Sequence, residues 1–132
     1  MVRHLAILDK EAVDAIFDGR KKIEGRFSQI KIPPYGKVSA GDVVLMKLPG
    51  EKIVGQFLIG KLLSYDHPTP QDMEELKKKY AKELALPTAF WFDHEKINYA
   101  TLMFIKTVTK FIIEPVVKKK DLRGWMVLGD SE

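Results

Sequence analysis

Glu24 and Arg26 stand two residues apart in the run Gly19-Arg20-Lys21-Lys22-Ile23-Glu24-Gly25-Arg26. If that run is a strand, side-chain alternation puts Lys22, Glu24 and Arg26 on one face and Ile23, Gly25 and Phe27 on the other. The charged trio then forms a ligand-holding surface. Arg26 offers a planar fork suited to phosphate, and Lys21 and Lys47 offer point charges. Glu24 can either hold Arg26 or accept from a base amino group. The bland alternative is an exposed Glu24–Arg26 bridge that holds nothing and is worth at most about 1 kcal/mol.

Other chemistries have less support. The chain has no cysteine, which removes disulfides, thiol catalysis and Cys-based zinc sites. His4, His67 and His94 show no two-ligand spacing, so no metal is expected. There is neither a nucleophile elbow nor a Gly-rich phosphate loop, and no cofactor is called for. Tyr35, Tyr65, Trp91, Tyr99 and Trp125 are candidates for stacking on bases, although most such residues are core. Trp125 is set apart by Lys118 to Lys120 and Arg123 just upstream, either an electrostatic track or a solvated loop.

The elements that must carry these residues follow from local pattern. His4 to Leu8 reads as a strand, and Asp9 caps a helix whose apolar stripe is Ala12, Val13, Ile16 and Phe17. Gly19 then supplies a left-handed stop. The charged strand, Lys22 to Phe27, comes next. Val43–Leu48 and Lys52–Leu63 are split by Pro49-Gly50 and pair antiparallel, with Gly55 and Gly60 marking bulges or bends. Thr69, Pro70 and Asp72 open a second helix with Met73, Leu76, Tyr80 and Leu84 on its apolar face, and its Lys77–Lys79 run is a solvated face. Residues 87–99 read as strand or short helix. Ala100–Glu114 and Trp125–Leu128 supply the last strands.

A chain of 132 residues, 45% hydrophobic and 30% charged, fits one compact globular domain spanning 1–132. Its apolar runs are too short to cross a bilayer and no signal-peptide core is visible, so a cytoplasmic protein without membrane contact is expected. The net charge of +4 is unevenly spread. From Gly19 to Lys61 nine Lys or Arg face Glu24, Asp42 and Glu51, whereas Asp9 to Asp18 holds four acids and one Lys. That polarity suits an anionic partner. Six or so short strands with internal glycines favour an α+β fold, a small β-barrel with two or three helices packed on its outside.

The Gly19–Arg26 motif, the Gly41-Asp42-Val43 turn, Lys47 and the Ile53-Val54-Gly55 strand resemble the ASCH domain, a member of the PUA-like superfamily. The resemblance is firm from about Ala12 to Leu63. It implies a PUA-like barrel with a basic cleft beside a helix, where single-stranded RNA or a modified nucleotide would meet Lys21, Lys22, Glu24, Arg26, Lys47 and Trp125. Some small ASCH proteins hydrolyse the amide of acetylated cytidine with a Lys, a Thr and a Glu. The Lys corresponds to Lys21, the third residue falls near Glu83, and the position of the nucleophilic Thr is occupied by Glu24. A carboxylate does not replace an attacking hydroxyl. The alternative to binding is therefore a hydrolase, ribonuclease or amidohydrolase-like, with Lys21 and Glu24 as its catalytic pair.

Overall fold

The computed structural model describes residues 1–50, 52–92, 96–112 and 123–130. The elements run β1 (Val2–Ile7), α1 (Lys10–Phe17), β2 (Ile23–Ser28), β3 (Val43–Lys47), β4 (Ile53–Asp66), α2 (Pro70–Leu84), α3 (Thr88–Phe92), β5 (Tyr99–Lys110) and β6 (Trp125–Asp130). Their ends are chemically marked. Asp9 caps α1, its Oδ1 accepting from the Ala12 amide at 2.8 Å. Thr69 and Asp72 form a reciprocal capping box on α2, each side chain accepting the other's backbone N–H. The stretch left open between strand and helix resolves as α3 followed, from Tyr99, by β5. The far end of the strand expected to reach Glu114, Lys118 to Lys120 and His94 all lie outside the described residues.

The strands form one sheet in the order β2-β5-β4-β3-β1-β6. Only the β1–β3 pair is parallel; every other neighbouring pair is antiparallel. Register shifts fall between Gln56 and Leu58 and between Ile59 and Lys61, which places the second irregularity at Gly60. At Gly55 the reason for glycine is close approach, because an added Cβ would lie 2.6 Å from the Thr109 carbonyl oxygen and 2.7 Å from the Phe17 ring.

The expected barrel is corrected here: β2 and β6 are the two ends of an open sheet and share no backbone ladder. The sheet nevertheless curls, since Arg26 on β2 reaches the Ile7 carbonyl at the end of β1 and the Gly124 carbonyl just before β6. A side chain spans the gap that a ladder would close. The helices pack on this sheet by their apolar stripes, and Lys10, Glu11 and Asp14 of α1 stay exposed. Val13 and Ile16 of α1 join the inner cluster with Ala6, Val44, Phe57 and Met103. On the opposite face of β2 and β5, Leu76, Tyr80 and Leu84 of α2 cover Ile23, Ala100 and Leu102. Burying side chains of this size stabilises the fold by about 1.5–3 kcal/mol each.

Both faces of β2 are thus occupied, the outer by α2 and the inner by Glu24 and Arg26. Among the described residues no helix is long and apolar enough to cross a membrane.

Gly55→Ala tests the tight crossing of β4, β5 and α1. The new methyl must displace a backbone oxygen, so unfolding in urea should show a loss of about 1–3 kcal/mol with an unchanged denaturant slope.

Candidate functional site

Alternation along β2 sends Ile23 and Phe27 toward α2 and leaves Glu24 and Arg26 on the inner face. Lys21, just before the strand, turns in with them. Its Nζ donates to the Leu84 carbonyl in the last turn of α2 and lies 3.4 Å from Glu24 Oε1. Glu24 Oε2 accepts from Arg26 Nε at 2.8 Å. Arg26 completes the chain by donating from Nη1 to the Gly124 carbonyl at 3.2 Å and from Nη2 to the Ile7 carbonyl at 2.9 Å. Lys21 and Glu24 are only 3% and 4% exposed, so the bland surface-bridge reading does not apply to them.

A buried anion between a buried and a partly buried cation is asymmetric in what it tolerates. Removing Glu24 leaves two facing positive charges, whereas removing Lys21 leaves a balanced pair. Arg26 differs from the free phosphate fork expected of it. All three of its guanidinium nitrogens already have partners, and its carbon sits 5.3 Å from the centre of the Trp125 ring.

Above Lys21 and Glu24 opens a cleft of about 370 Å³. Asp9, Glu11 and Ala12 of α1 and its cap form one wall, Ala85 to Pro87 another, and Arg20 stands at its lining with Lys21, Glu24 and Arg26. Three acids therefore face three bases: Asp9, Glu11 and Glu24 against Arg20, Lys21 and Arg26. The basic run in the sequence does not produce a basic lining here, because the acidic first turn of α1 is folded against it. None of the described lining residues carries a hydroxyl.

The remaining sequence candidates are placed elsewhere. Lys22 is exposed, with its backbone tied to the Glu83 carbonyl at 2.8 Å, and neither Lys22 nor Glu83 lines the cleft. Lys47 pairs with Ile7 at the end of β3 but also lies outside the lining. Lys22 and Lys47 thus do not join Glu24 and Arg26 in one patch. Trp125 is 3% exposed in the inner core, and it supports the site from behind. Arg20, Asp9 and Glu11 also line the cleft, and of the three only Arg20 lies in the Gly19–Arg26 motif.

Behind Trp125 lies a second polar chain. The indole Nε1 donates to His4 Nδ1 at 3.2 Å, and His4 Nε2 meets Asp42 Oδ2 at 2.9 Å. An indole can only donate, so Nδ1 accepts and the ring proton on Nε2 points at Asp42. His4 is thus a link in the core between Trp125 and Asp42. Asp42 also accepts from the amides of Val2 and Ser39. Burial alone would push its carboxyl up, but the His4 bond and these two amides outweigh it and hold the group below the usual carboxylate value.

Comparison with solved structures gives the same architecture. The ASCH protein of Zymomonas mobilis aligns at a TM-score of 0.68 and 16% identity, over 96% of this chain and 87% of that one. A tyrosine-to-phenylalanine variant of it aligns at 0.70 and 17%, over 96% and 89%. A serine-to-alanine variant gives 0.71 and 16%, over 96% and 87%. No protein-family model matches the sequence, and neither does any curated protein.

Glu24→Gln should destabilise the protein by about 3–5 kcal/mol and clearly more than Lys21→Met, as read from urea unfolding at pH 7. For Asp42, stabilisation is fully present above the ordinary carboxylate value of about 4 and is lost as pH falls through the lower native value. Asp42→Asn should cost about 1–3 kcal/mol at neutral pH, with the gap to wild type shrinking as unfolding is repeated toward pH 3. The chain described here has the fold of the ASCH domain.

Proposed function

We propose that this protein is a binding module for single-stranded RNA or a modified nucleotide, and that one nucleoside unit enters the cleft above Lys21 and Glu24. The observation that carries the reading is the Lys21–Glu24–Arg26 chain, its Lys21–Glu24 end buried, on the wall of a cleft of about 370 Å³. Ligand sites commonly occupy about 300–1,000 Å³ and combine apolar walls with a few fixed polar groups. A buried carboxylate beside a buried ammonium is costly for the fold, and such groups cluster at functional sites.

The balance of charge shapes what the cleft recognises. It is not a funnel for anions. Adjacent fixed donor and acceptor groups instead suit the edge of a nucleobase, which is read by hydrogen bonds once it is unstacked. Exposed Arg20, at the lining, is available to the attached phosphate; its present partner is the exposed Asp18, an exchangeable surface pair. The fold shared with ASCH proteins supports this choice of ligand class and does not identify the ligand.

Hydrolysis by Lys21 and Glu24 is the alternative function. An amide-cleaving route through a hydroxyl nucleophile has no such group among the described lining residues. Binding is the simpler use of this geometry.

Fluorescence anisotropy with a labelled single-stranded oligoribonucleotide tests the proposal. Binding should appear at low salt, and the logarithm of affinity should fall with the logarithm of salt at a slope of about −1 to −2, as a few phosphate contacts require. Arg20→Ala should weaken binding and reduce that slope by about 0.7, while Lys78→Ala on the exposed face of α2 should change neither. Absence of binding at low salt, or an Arg20→Ala protein indistinguishable from wild type, would refute the reading. Saturation without product formation separates a binder from a hydrolase.

A further inference from the structure

Arg26 borders two cavities. The first is the cleft with Lys21 and Glu24. The second, of about 360 Å³, lies along the same inner stripe of β2 and shares only Arg26 with the first among the described lining residues. Its walls are Pro34, Tyr35 and Trp125 with the stretch of β2 from Arg26 to Ser28, and Thr101 and Arg123 add polar groups. Unlike the cleft, its described lining holds two arginines and no acid. Ile32, 45% exposed, gives it an apolar rim.

The walls are held firmly. Tyr35 packs on Tyr99 with ring centres 4.8 Å apart. Lys31 Nζ lies 5.9 Å from the centre of the Tyr35 ring. Thr101 faces the same side as Arg26 because the two are direct cross-strand partners. Rigid aromatic and proline surfaces with flanking cations are what an unstacked base and its phosphate require.

The spacing joins the two cavities into one site. Alternate residues on a strand repeat every 7 Å or so, which puts Arg26 about 7 Å from Glu24 on one side and from Ser28, at the second cavity, on the other. We infer that the cavity beyond Arg26 is a second base subsite, so that the protein takes two consecutive nucleotides of a single strand, one on each side of Arg26. The inference rests on the nucleotide-binding reading of the cleft and adds a ligand length to it. The linking phosphate lies over Arg26, whose bonds to Glu24, Gly124 and Ile7 use three of its five N–H groups and leave its positive charge in place. The second base stacks on Tyr35, with the buried Trp125 closing the cavity behind it, and such stacking tolerates any base.

Calorimetry and amide NMR with the four ribonucleoside 5′-monophosphates and the four matching homodinucleotides test this at fixed salt. In the wild-type protein the dinucleotides should bind about tenfold more tightly than the monophosphates. They should also shift the Trp125 indole N–H and the Tyr35 and Thr101 amides, which the monophosphates leave in place while shifting Lys21 and Gly25. Tyr35→Ala should abolish the dinucleotide gain and leave monophosphate affinity within about twofold. Should that variant misfold, the wild-type shift pattern decides alone. Monophosphate binding with no dinucleotide gain, or a gain that survives Tyr35→Ala, overturns the second subsite and leaves the cleft reading intact. Failure of all eight ligands to bind overturns both.

Discussion

The structure depends on one guanidinium. A six-stranded sheet that curls without closing leaves backbone groups at its two edges with no ladder partner, and a side chain must tie those edges together. Arg26 does so through the Ile7 and Gly124 carbonyls, and it holds the Glu24 carboxylate with its third nitrogen. Only arginine has a rigid, permanently charged fork able to serve three acceptors in different directions; lysine would concentrate its donors at one point. The same group packs against Trp125 and separates the two cavities. The tie across the open sheet and the boundary between the two cavities therefore fall on a single residue.

The polar interior extends in both directions from that point. Toward the cleft, Glu24 bridges to Lys21, and Lys21 ends on the Leu84 carbonyl at the C-terminus of α2. A cation there satisfies an orphan carbonyl and complements the negative end of the helix dipole. Toward the core, Trp125 passes a hydrogen bond to His4, and His4 passes one to Asp42, which also binds the Val2 amide at the start of β1. Apolar packing on both sides of the sheet stabilises the domain, while these two chains fix how its elements face one another. A hydrophobic core alone is far less specific about such geometry.

Charge is distributed differently in space and along the chain. The basic stretch after Gly19 and the acidic stretch before it are neighbours in sequence, and folding lays Asp9 and Glu11 beside Lys21 and Arg20. The cleft becomes balanced. Positive lining without acid is found instead in the aromatic cavity. A ligand with a polar, neutral base at one end and a phosphate toward the other matches this division better than a uniformly anionic one.

Features governed by adjacent residues were legible in the sequence. Asp9 and the Thr69-Pro70-Asp72 cap start their helices, Pro49-Gly50 separates β3 from β4, and the apolar face of α2 is the one expected, each within a few residues of the chain. The sharing of one face by Glu24 and Arg26 also followed, since alternation is local. What alternation could not supply was the environment on that face. Lys21 and Leu84 are 63 residues apart, Arg26 and Gly124 are 98 apart, and Trp125 and His4 are 121 apart. Those pairings turn Lys21 from a solvent-facing charge into a buried one and Trp125 from a stacking platform into a core support. The sheet also stays open where a barrel was expected, with Arg26 spanning the gap. The sequence by itself determined the elements and the residues each presents; tertiary structure alone decided which charges would meet, because their partners arrive from distant strands and helix ends that no local period encodes.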